Sequence, residues 1–355
     1  MRTRQPAPTM LKPFVAVPAH TLTQQQVKEH IGWVFGLDGR RLSVMLGVVE
    51  NSRVDKRHLC FPLEHVIEPR PLSQVNREYQ EKAIELGQAA ARGALETAGV
   101  AAGEIDLLIT VSCTGIMIPS VDAFLINELG MRRDTRRLPV TELGCAAGAV
   151  ALSRAADYIR AYPEANVLVL AVELPSLTFQ RGDDSPAHLI SCALFGDGAA
   201  AAVVTGRQRR GARILSSMSH LFPSTYDAMG FDLRDTGFHI VLSKNVPNLI
   251  RAEIAGLTAR FLERSQARRE ELAFFWIHPG GQKLLANIEA ELGLGAGDTR
   301  ASWHVLSQYG NLSSATVLFI AAEGWDERPA GEKELGLMAA FGPGFSAEML
   351  LLEWN

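Results

Sequence analysis

The chain repeats one short pattern, in which a phenylalanine and two glycines precede a run of small and apolar residues. The pattern occurs as FGDGAAAAVV at 195–204 and as FGPGFSAEML at 341–350. A turn-and-strand unit that recurs at wide spacing indicates a duplicated architecture. The 355 residues also exceed the size at which one hydrophobic core usually stops growing. We therefore expect two similar halves that pack together, residues 1–206 and 207–355.

Short apolar runs that end in turn residues alternate with amphipathic segments along the chain. The apolar runs are typical of buried strands. They lie at 106–115, 165–174, 198–206, 272–281 and 347–354. The amphipathic segments carry apolar residues every three or four positions, as helices do. They lie at 77–99, 145–162 and 248–265. This alternation of strands and helices predicts an α/β fold.

A second repeat concerns the ends of two predicted strands. The strand endings are VSCTG and WIHPG, and each is followed further along by a glycine that opens a helix, in GCAAGAVAL and GNLSSATVL. In this alignment Cys145 and Asn311 take matching positions in the two halves, and His278 lies on a loop equivalent to that of Cys113. Halves that pack face to face about a pseudo-twofold axis would bring Cys145, His278 and Asn311 together.

Composition limits the partners and the compartment. A net charge of −4 gives no basic footprint for nucleic acid, so we expect small-molecule partners. The four cysteines lack C-x-x-C spacing, which favours reduced thiols in the cytoplasm and no metal site. No run approaches the roughly 20 apolar residues of a membrane span. The N-terminal segment is a poor signal peptide because Pro13 and Pro18 interrupt its apolar part.

Cys145 lies between Gly144 and a run of very small residues, at the predicted start of a helix. The glycine permits a tight turn, and a helix N-terminus stabilises a thiolate. A buried, inert thiol is the alternative, because free cysteines often pack as small hydrophobes. His278 and Asn311 have alternatives too, as a buried histidine satisfied by backbone and as a helix N-cap.

Taken together with the duplicated spacing, Cys145, His278 and Asn311 predict acyl transfer. The thiol would attack a carbonyl carbon, and the other two side chains would donate hydrogen bonds to the developing oxyanion. Cysteine, histidine and asparagine occur in the same chain order in papain-like hydrolases. The order of the three residues therefore leaves a hydrolase open.

Several motifs in combination resemble the type III polyketide synthases, the chalcone-synthase-like condensing enzymes of the thiolase fold. The family's nucleophile turn is similar to ELGCAAG, its histidine loop to IHPGG and its asparagine helix start to YGNLSSA. The family's phenylalanine segment at the cavity mouth is similar to ALFGDGAA, and its C-terminal glycine loop to FGPGFSAEML. The resemblance runs from about Phe14 to Trp354, and it implies duplicated α-β-α layered halves of the thiolase-like fold.

The resemblance implies an acyltransferase that condenses malonyl-CoA iteratively, with loss of carbon dioxide, onto an acyl chain held on Cys145. His278 and Asn311 would stabilise the thioester enolate, and His278 near Cys145 would favour a thiolate–imidazolium pair. Loss of carbon dioxide creates the carbanion, so no cofactor or metal is expected. The resemblance also implies a homodimer. Ile118 stands at the position where many plant members have a methionine that reaches into the neighbouring subunit.

Further positions match residues that shape the substrate cavity in the family. They are Phe195, the gatekeeping aromatic, Cys113, Thr114, Thr178, Ser191, Ile240 and Ser313. Cys113 stands where plant members commonly have threonine, and Ile240 stands at a second gatekeeper position, where a missing aromatic would widen the entrance. Arg53, Lys56 and Arg57 lie in a segment that is close to coenzyme A in the family, although a solvated charged turn is the alternative.

The product is the least constrained part of the prediction. The segment VELPSLTFQRGDDSPAHLIS (172–191) is more similar to bacterial alkylpyrone and alkylresorcinol synthases than to plant chalcone synthases, which favours a fatty acyl-CoA starter. A malonyl-primed tetrahydroxynaphthalene-type synthase is the nearest alternative. A ketoacyl-ACP synthase III shares the fold and the three catalytic residues but uses an acyl-carrier protein. A non-catalytic thiolase-fold scaffold would leave malonyl-CoA untouched.

Overall fold

The computed structural model describes residues 8–295, 297–328 and 333–355. Residues 1–7, the start of the predicted first half and of the segment judged a poor signal peptide, lie outside the described residues. The strands are β1 Thr9–Met10, β2 Phe14–Ala16, β3 His20–Thr23, β4 Lys56–Leu59, β5 Leu107–Val111, β6 Arg136–Val140, β7 Asn166–Glu173, β8 Gly198–Thr205, β9 Ala212–Leu221, β10 Met229–Arg234, β11 Gly237–Leu242, β12 Leu272–Ile277, β13 Glu334–Gly342 and β14 Ser346–Trp354. The helices are α1 Gln24–Phe35, α2 Gly39–Asn51, α3 Leu63–Ile67, α4 Leu72–Ala98, α5 Val121–Glu128, α6 Ala147–Ala161, α7 Pro186–Leu194, α8 Val246–Arg264, α9 Gln282–Leu292, α10 Arg300–Tyr309 and α11 Thr316–Glu323.

The strands build a mixed sheet that contains the same unit twice. Its order is β12-β13-β14-β9-β1-β8-β7-β5-β6, and β2 pairs with β8 beside this path. In the first unit β5 is parallel to β7, and β7 is antiparallel to β8. In the second unit β12 is parallel to β13, and β13 is antiparallel to β14. The repeated F-G-x-G pattern precedes β8 and β14, so the predicted duplication is confirmed in the α/β sheet.

The two strand units and the helices form layers. Helices α4 and α5 cover one face of β5, β7 and β8, whereas α6 and α11 lie between the two strand units. Helices α8 and α9 cover the outer face of β12, β13 and β14. Every residue of β7 is buried, because alternate side chains pack into different layers. The layered α-β-α halves predicted from the sequence are therefore confirmed, whereas the boundary at residue 206 stays a prediction.

Two tight turns start the central helices α6 and α11. Gly144 has φ 47° and Ser313 has φ 49°, and each is the first residue of a 3₁₀ turn that leads into the helix. Cys145 therefore matches Ser314 rather than Asn311, and the alignment made from the sequence is wrong in register. The reason is that Asn311 remains in extended backbone, where its N–H donates to Leu194 O at 2.9 Å.

The predicted helices are confirmed with small changes at their ends. The segments expected at 77–99, 145–162 and 248–265 correspond to α4, α6 and α8. Within the described ranges, no helix combines the length and the apolar character needed to cross a membrane.

Candidate active site

One large cavity contains the three predicted catalytic side chains. Its volume is about 1200 Å³, and residues from both halves line it, among them Cys145, His278 and Asn311. The loops after β5 and β12 and the turns before α6 and α11 all reach this cavity, because the two halves place equivalent elements against each other. The prediction that the three side chains converge is confirmed by their placement in the structure.

Cys145 lies in the 3₁₀ turn directly before α6, and its side chain is only 6% exposed. Its Sγ–H donates to Ser313 Oγ at 3.4 Å. Burial raises the pKa of Cys145 to about 12, and hydrogen bonds from Ser313 and Asn311 oppose part of that rise. Close packing in this region depends on a glycine in α6. A Cβ on Gly148 would lie 2.2 Å from Ser314 O, so glycine permits the close approach of α6 to the turn before α11.

His278 follows β12, where its backbone N–H donates to Ala339 O at 2.8 Å. The imidazole is 1% exposed, and its Nε2 lies 3.2 Å from Asn311 Oδ1. Burial lowers the pKa of His278 to about 4, which keeps the ring neutral. The other ring nitrogen, Nδ1, is buried without a hydrogen-bond partner in the described part of the chain.

Asn311 connects the histidine to the cysteine turn. Its Oδ1 accepts the backbone N–H of Ser313 at 2.8 Å, and its Nδ2 donates to Gly280 O at 3.3 Å. Since the Ser313 hydroxyl also accepts from Cys145, Ser313 and Asn311 together link the thiol to the imidazole through hydrogen bonds of Ser313's hydroxyl and of its backbone N–H. The alternative, in which Asn311 is a helix N-cap, is not observed, because the N-cap residue of the turn before α11 is Leu312.

The expected thiolate–imidazolium pair is opposed by this environment. Removing both groups from water disfavours their charged forms, so the Cys145 pKa rises while the His278 pKa falls. The structure therefore favours a neutral thiol and a neutral imidazole. The sequence indicated that the two residues are close, but it did not indicate how completely they are buried.

Glu173 is a site residue that the sequence analysis did not single out. It ends β7 and is fully buried, and it accepts hydrogen bonds from the Cys113 N–H at 3.1 Å, the Thr114 hydroxyl at 3.0 Å and the Ser314 hydroxyl. Burial raises the pKa of Glu173 to about 7. The signal was present in the sequence, as a single carboxylate at the end of an otherwise apolar strand.

Cys113 lies beside this carboxylate, on the loop after β5. Its Sγ is 3.5 Å from both Glu173 carboxylate oxygens and 3.4 Å from Ser313 Oγ. Burial and the neighbouring carboxylate raise the pKa of Cys113 well above its usual value. A neutral thiol that can donate to Glu173 is therefore favoured over a reactive thiolate.

All positions expected to shape the cavity contribute to its wall. They are Cys113, Thr114, Thr178, Ser191, Phe195, Ile240 and Ser313. The backbone of Phe195 also forms an isolated parallel bridge with Asn311, which fixes the phenylalanine segment beside this asparagine. The binding roles of these residues stay predictions.

The three basic residues expected near coenzyme A do not form one patch. Arg53 is exposed, and its guanidinium stacks on Trp303 with 4.8 Å between the guanidinium carbon and the ring centroid. Lys56 and Arg57 are neighbours in β4, so their side chains point to opposite faces of the strand. Arg57 is 3% exposed and lines the cavity, whereas Lys56 is half-buried.

The cavity residues suit carbonyl chemistry. Across the described residues, there is no group of three or more histidine, cysteine, aspartate or glutamate side chains placed to hold a metal ion. A thiol beside a neutral imidazole and an amide is an arrangement that can transfer acyl groups and stabilise an enolate oxygen.

Comparison with known proteins decides between the remaining enzyme classes. The family model for the N-terminal domain of chalcone and stilbene synthases matches residues 60–208, and the model for their C-terminal domain matches residues 213–354. The chain belongs to the chalcone and stilbene synthase family. Chalcone and stilbene synthases of this kind are type III polyketide synthases, which act on coenzyme A thioesters as acyltransferases without a further cofactor.

Bacterial members of the family are similar over nearly the whole chain. The 1,3,6,8-tetrahydroxynaphthalene synthase of Streptomyces coelicolor is 38% identical over 98% of this chain and 92% of its own length. The phloroglucinol synthase of Pseudomonas fluorescens is 35% identical over 98% of this chain and 99% of its own length. The crystal structure of the Streptomyces coelicolor tetrahydroxynaphthalene synthase, a bacterial type III polyketide synthase, superposes with a TM-score of 0.94 and covers 98% of this chain and 99% of that one. The thiolase-like fold and the type III polyketide synthase family predicted from the sequence are confirmed.

Proposed function

We propose that this type III polyketide synthase uses malonyl-CoA both as starter and as extender, and that it cyclises the chain to a tetrahydroxynaphthalene-type product. The similarity to the Streptomyces coelicolor synthase along nearly the whole chain carries this proposal. The malonyl-primed reaction was the alternative in the sequence analysis, and the relatives favour it over a fatty acyl starter.

In the proposed reaction, Cys145 accepts the starter. The sulfur attacks the acyl thioester carbonyl, coenzyme A leaves, and the proton of the thiol ends on the departing coenzyme A sulfur. Because burial raises the Cys145 pKa to about 12, the proton moves as the sulfur attacks rather than beforehand. His278 is neutral at physiological pH and is therefore able to accept and return a proton within the cavity.

His278 and Asn311 then serve the condensation. Malonyl-CoA loses carbon dioxide, and the electron pair of the broken carbon–carbon bond forms the enolate of acetyl-CoA. The imidazole Nε2–H, which lies against Asn311 Oδ1 in the structure, is then redirected to the enolate oxygen, together with one of the two N–H groups of the Asn311 amide. The enolate carbon attacks the acyl thioester on Cys145, and the cysteine sulfur leaves and takes up a proton. The chain, two carbons longer, is then a coenzyme A thioester that Cys145 accepts again for the next round.

A fatty acyl-CoA starter, with an alkylpyrone or alkylresorcinol product, is the second candidate. The cavity supports it, because about 1200 Å³ exceeds the roughly 300–1,000 Å³ of most small-molecule pockets. Ile240 at the second gatekeeper position also leaves more room than an aromatic ring would. The two candidates share the catalytic residues and differ in the starter.

A homodimer and a cytoplasmic location are also part of the proposal. Among the described strands β6 pairs on one side only, and apolar side chains in or near this part of the sequence are exposed, including Ile118 at 93%, Leu138 and Leu143. An open sheet edge beside exposed apolar residues suits a second copy of the chain.

The four cysteines are free, as a thiol enzyme in a reducing compartment requires. Arg53 and Lys56 remain candidates for contacts with the coenzyme A phosphates.

Mass spectrometry of the products tests the function. Purified enzyme receives malonyl-CoA alone, then malonyl-CoA with acyl-CoA starters of graded chain length, with Cys145→Ala as the inactive control. We expect a five-unit polyketide product from malonyl-CoA alone. Polyketide that forms only when a long acyl-CoA is present would replace this proposal with the fatty acyl candidate. Product from malonyl-ACP but not from malonyl-CoA would contradict both.

A further inference from the structure

Arg57 is a buried charged residue that the proposed reaction does not use. It lies in β4, is 3% exposed and contributes to the cavity wall. Its Nη1 is buried without a hydrogen-bond partner among the described residues. Burial lowers the pKa of Arg57 to about 10, so the guanidinium is still protonated at neutral pH. Buried charges are normally hydrogen-bonded to a partner, so the free donor indicates a missing acceptor.

The nearby carboxylate of Asp197 does not supply that acceptor. Its oxygens accept the Cys60 N–H at 2.8 Å, the Ser176 N–H at 2.9 Å and the Ser176 hydroxyl. Burial is the larger effect on the Arg57 pKa, and the charges of Cys192 and, to a smaller extent, of Asp197 oppose it and favour the protonated guanidinium. The carboxylate thus helps to keep a cation inside the protein while leaving the guanidinium donor free for a ligand.

Arg57 also lies next to the catalytic machinery. A Cβ on Gly196 would be 2.9 Å from the Cβ of Arg57, and the Asp197 N–H donates to His58 O at 2.9 Å. The same glycine donates its N–H to Asn311 O at 3.1 Å. Strand β4 is therefore packed against the segment that holds the gatekeeping phenylalanine and the catalytic asparagine.

We propose that Arg57 binds the free carboxylate of the malonyl starter inside the cavity, an inference that rests on the proposed malonyl priming. A guanidinium matches a carboxylate with two parallel hydrogen bonds. Such binding stabilises the carboxylate and therefore slows the loss of carbon dioxide. It therefore suits a starter that keeps its carboxylate while the chain grows, which is part of this proposal, and not the extender, whose carboxylate must leave.

The first experiment compares two starters in one variant. Arg57→Met removes the guanidinium with little change in side-chain length. We expect polyketide formation from malonyl-CoA alone to fall by about 10- to 100-fold, as for the loss of hydrogen bonds to a charged group. Polyketide formation from hexanoyl-CoA with malonyl-CoA should stay within about twofold of wild type. The ratio of the two rates within one preparation does not depend on the fraction of folded enzyme.

A matched control is Arg213→Met, which removes a half-buried arginine that pairs with Glu353 and does not line the cavity. This variant should keep the wild-type ratio of the two rates. An equal loss for both starters in Arg57→Met would mean that Arg57 contacts the coenzyme A phosphates or serves the fold, and would overturn the inference. Unchanged rates with both starters would overturn it as well.

The second experiment needs no variant at Arg57. Wild-type enzyme is mixed with succinyl-CoA or with butyryl-CoA, and acylation of Cys145 is followed by intact-protein mass spectrometry. We expect succinyl loading to be at least about tenfold faster, because only succinyl carries a free carboxylate. Equal or faster butyryl loading would overturn the inference. A wild-type enzyme that makes no polyketide from malonyl-CoA alone would contradict the proposed function, whereas the succinyl comparison still decides the role of Arg57.

Discussion

The hydroxyl oxygen of Ser313 lies 3.4 Å from the thiol sulfur of Cys145, across the contact between the two halves. Ser313 reaches this position because its backbone has φ 49°, in the left-handed region that most side chains avoid. When the thiol ionises, the Ser313 hydroxyl can donate to the sulfur, which lowers the Cys145 pKa against the larger effect of burial. The turn that carries Ser313 in the second half therefore lowers the pKa of Cys145 in the first half.

Ser313→Gly should make Cys145 less reactive. Glycine adopts the left-handed conformation without strain, so the turn is kept while the hydroxyl is lost. The pKa of Cys145 should rise further, and its alkylation by iodoacetamide at pH 8 should slow by roughly twofold to tenfold, as for the loss of one hydrogen bond. Peptide mass spectrometry follows Cys145 separately from Cys113.

Ser313→Ala is the matched variant, because it removes the same hydroxyl but keeps a side chain at a positive φ. We expect a similar loss of reactivity together with a lower melting temperature. An unchanged alkylation rate in both variants would show that Ser313 does not affect the thiol.

Cys145→Ala should separate chain extension from decarboxylation. The variant lacks the sulfur that holds the chain, so polyketide formation should stop. His278 and Asn311 remain in place, so slow conversion of malonyl-CoA to acetyl-CoA should persist. Carbon dioxide release and polyketide yield are measured side by side. Normal polyketide from this variant would show that Cys145 is not the nucleophile.

His278→Ala should reduce both activities, because the same donor serves the enolate and the acyl transfer. The removal of one such donor typically costs about 10²–10³ in rate. The two assays used for Cys145→Ala measure this loss. Decarboxylation at the wild-type rate would mean that the imidazole does not stabilise the enolate.

Thr178→Phe should reduce the length of the acyl chain that the enzyme accepts as a starter. Thr178 lines the cavity, and its hydroxyl donates to Pro175 O at 2.8 Å. The larger ring takes up cavity volume while leaving the catalytic residues unchanged. Turnover of long acyl-CoA starters should fall more than turnover of short ones.

Thr178→Ser is the control, since it keeps the hydroxyl and adds no volume. It should retain the wild-type preference for chain length. An equal loss for every chain length in Thr178→Phe would argue that the residue does not shape the starter pocket.

Glu173→Gln should change the dependence of stability on pH. Burial raises the folded-state pKa of Glu173 from 4.5 to about 7, so the stability that the protonated carboxyl contributes is complete below about 4.5 and is lost as the pH rises through about 7. The melting temperature of Glu173→Gln relative to wild type should therefore increase between pH 5 and pH 8. The low pKa of His278 acts in both proteins and cancels in the difference.

The control is Glu164→Gln, at an exposed carboxylate in the turn before β7. Its melting temperature relative to wild type, measured over the same pH range, gives the effect of removing one carboxylate outside the site. A difference between Glu173→Gln and wild type that is constant from pH 5 to pH 8 would show that Glu173 does not titrate in this range.

Much of the fold was predictable from local patterns. Continuous apolar runs identified the central strands, because a strand covered on both faces has no polar side. The three-to-four-residue spacing identified α4, α6 and α8. The residue-by-residue alignment of the two halves was not predictable. The backbone of Asn311 is held extended by a hydrogen bond to Leu194, a residue distant in the sequence. The convergence of Cys145, His278 and Asn311 was predictable because two equivalent units must meet through equivalent surfaces.

The sequence by itself determined the chemical groups of this enzyme and the order in which strands and helices carry them. Only the tertiary structure decided their charge states and their neighbours. Cys145 and His278 are held neutral, Glu173 is drawn into the site, and Arg57 is turned inward with a free donor. The physical reason is that desolvation and unpaired hydrogen bonds depend on every group packed around a side chain, and most of those groups come from distant parts of the chain.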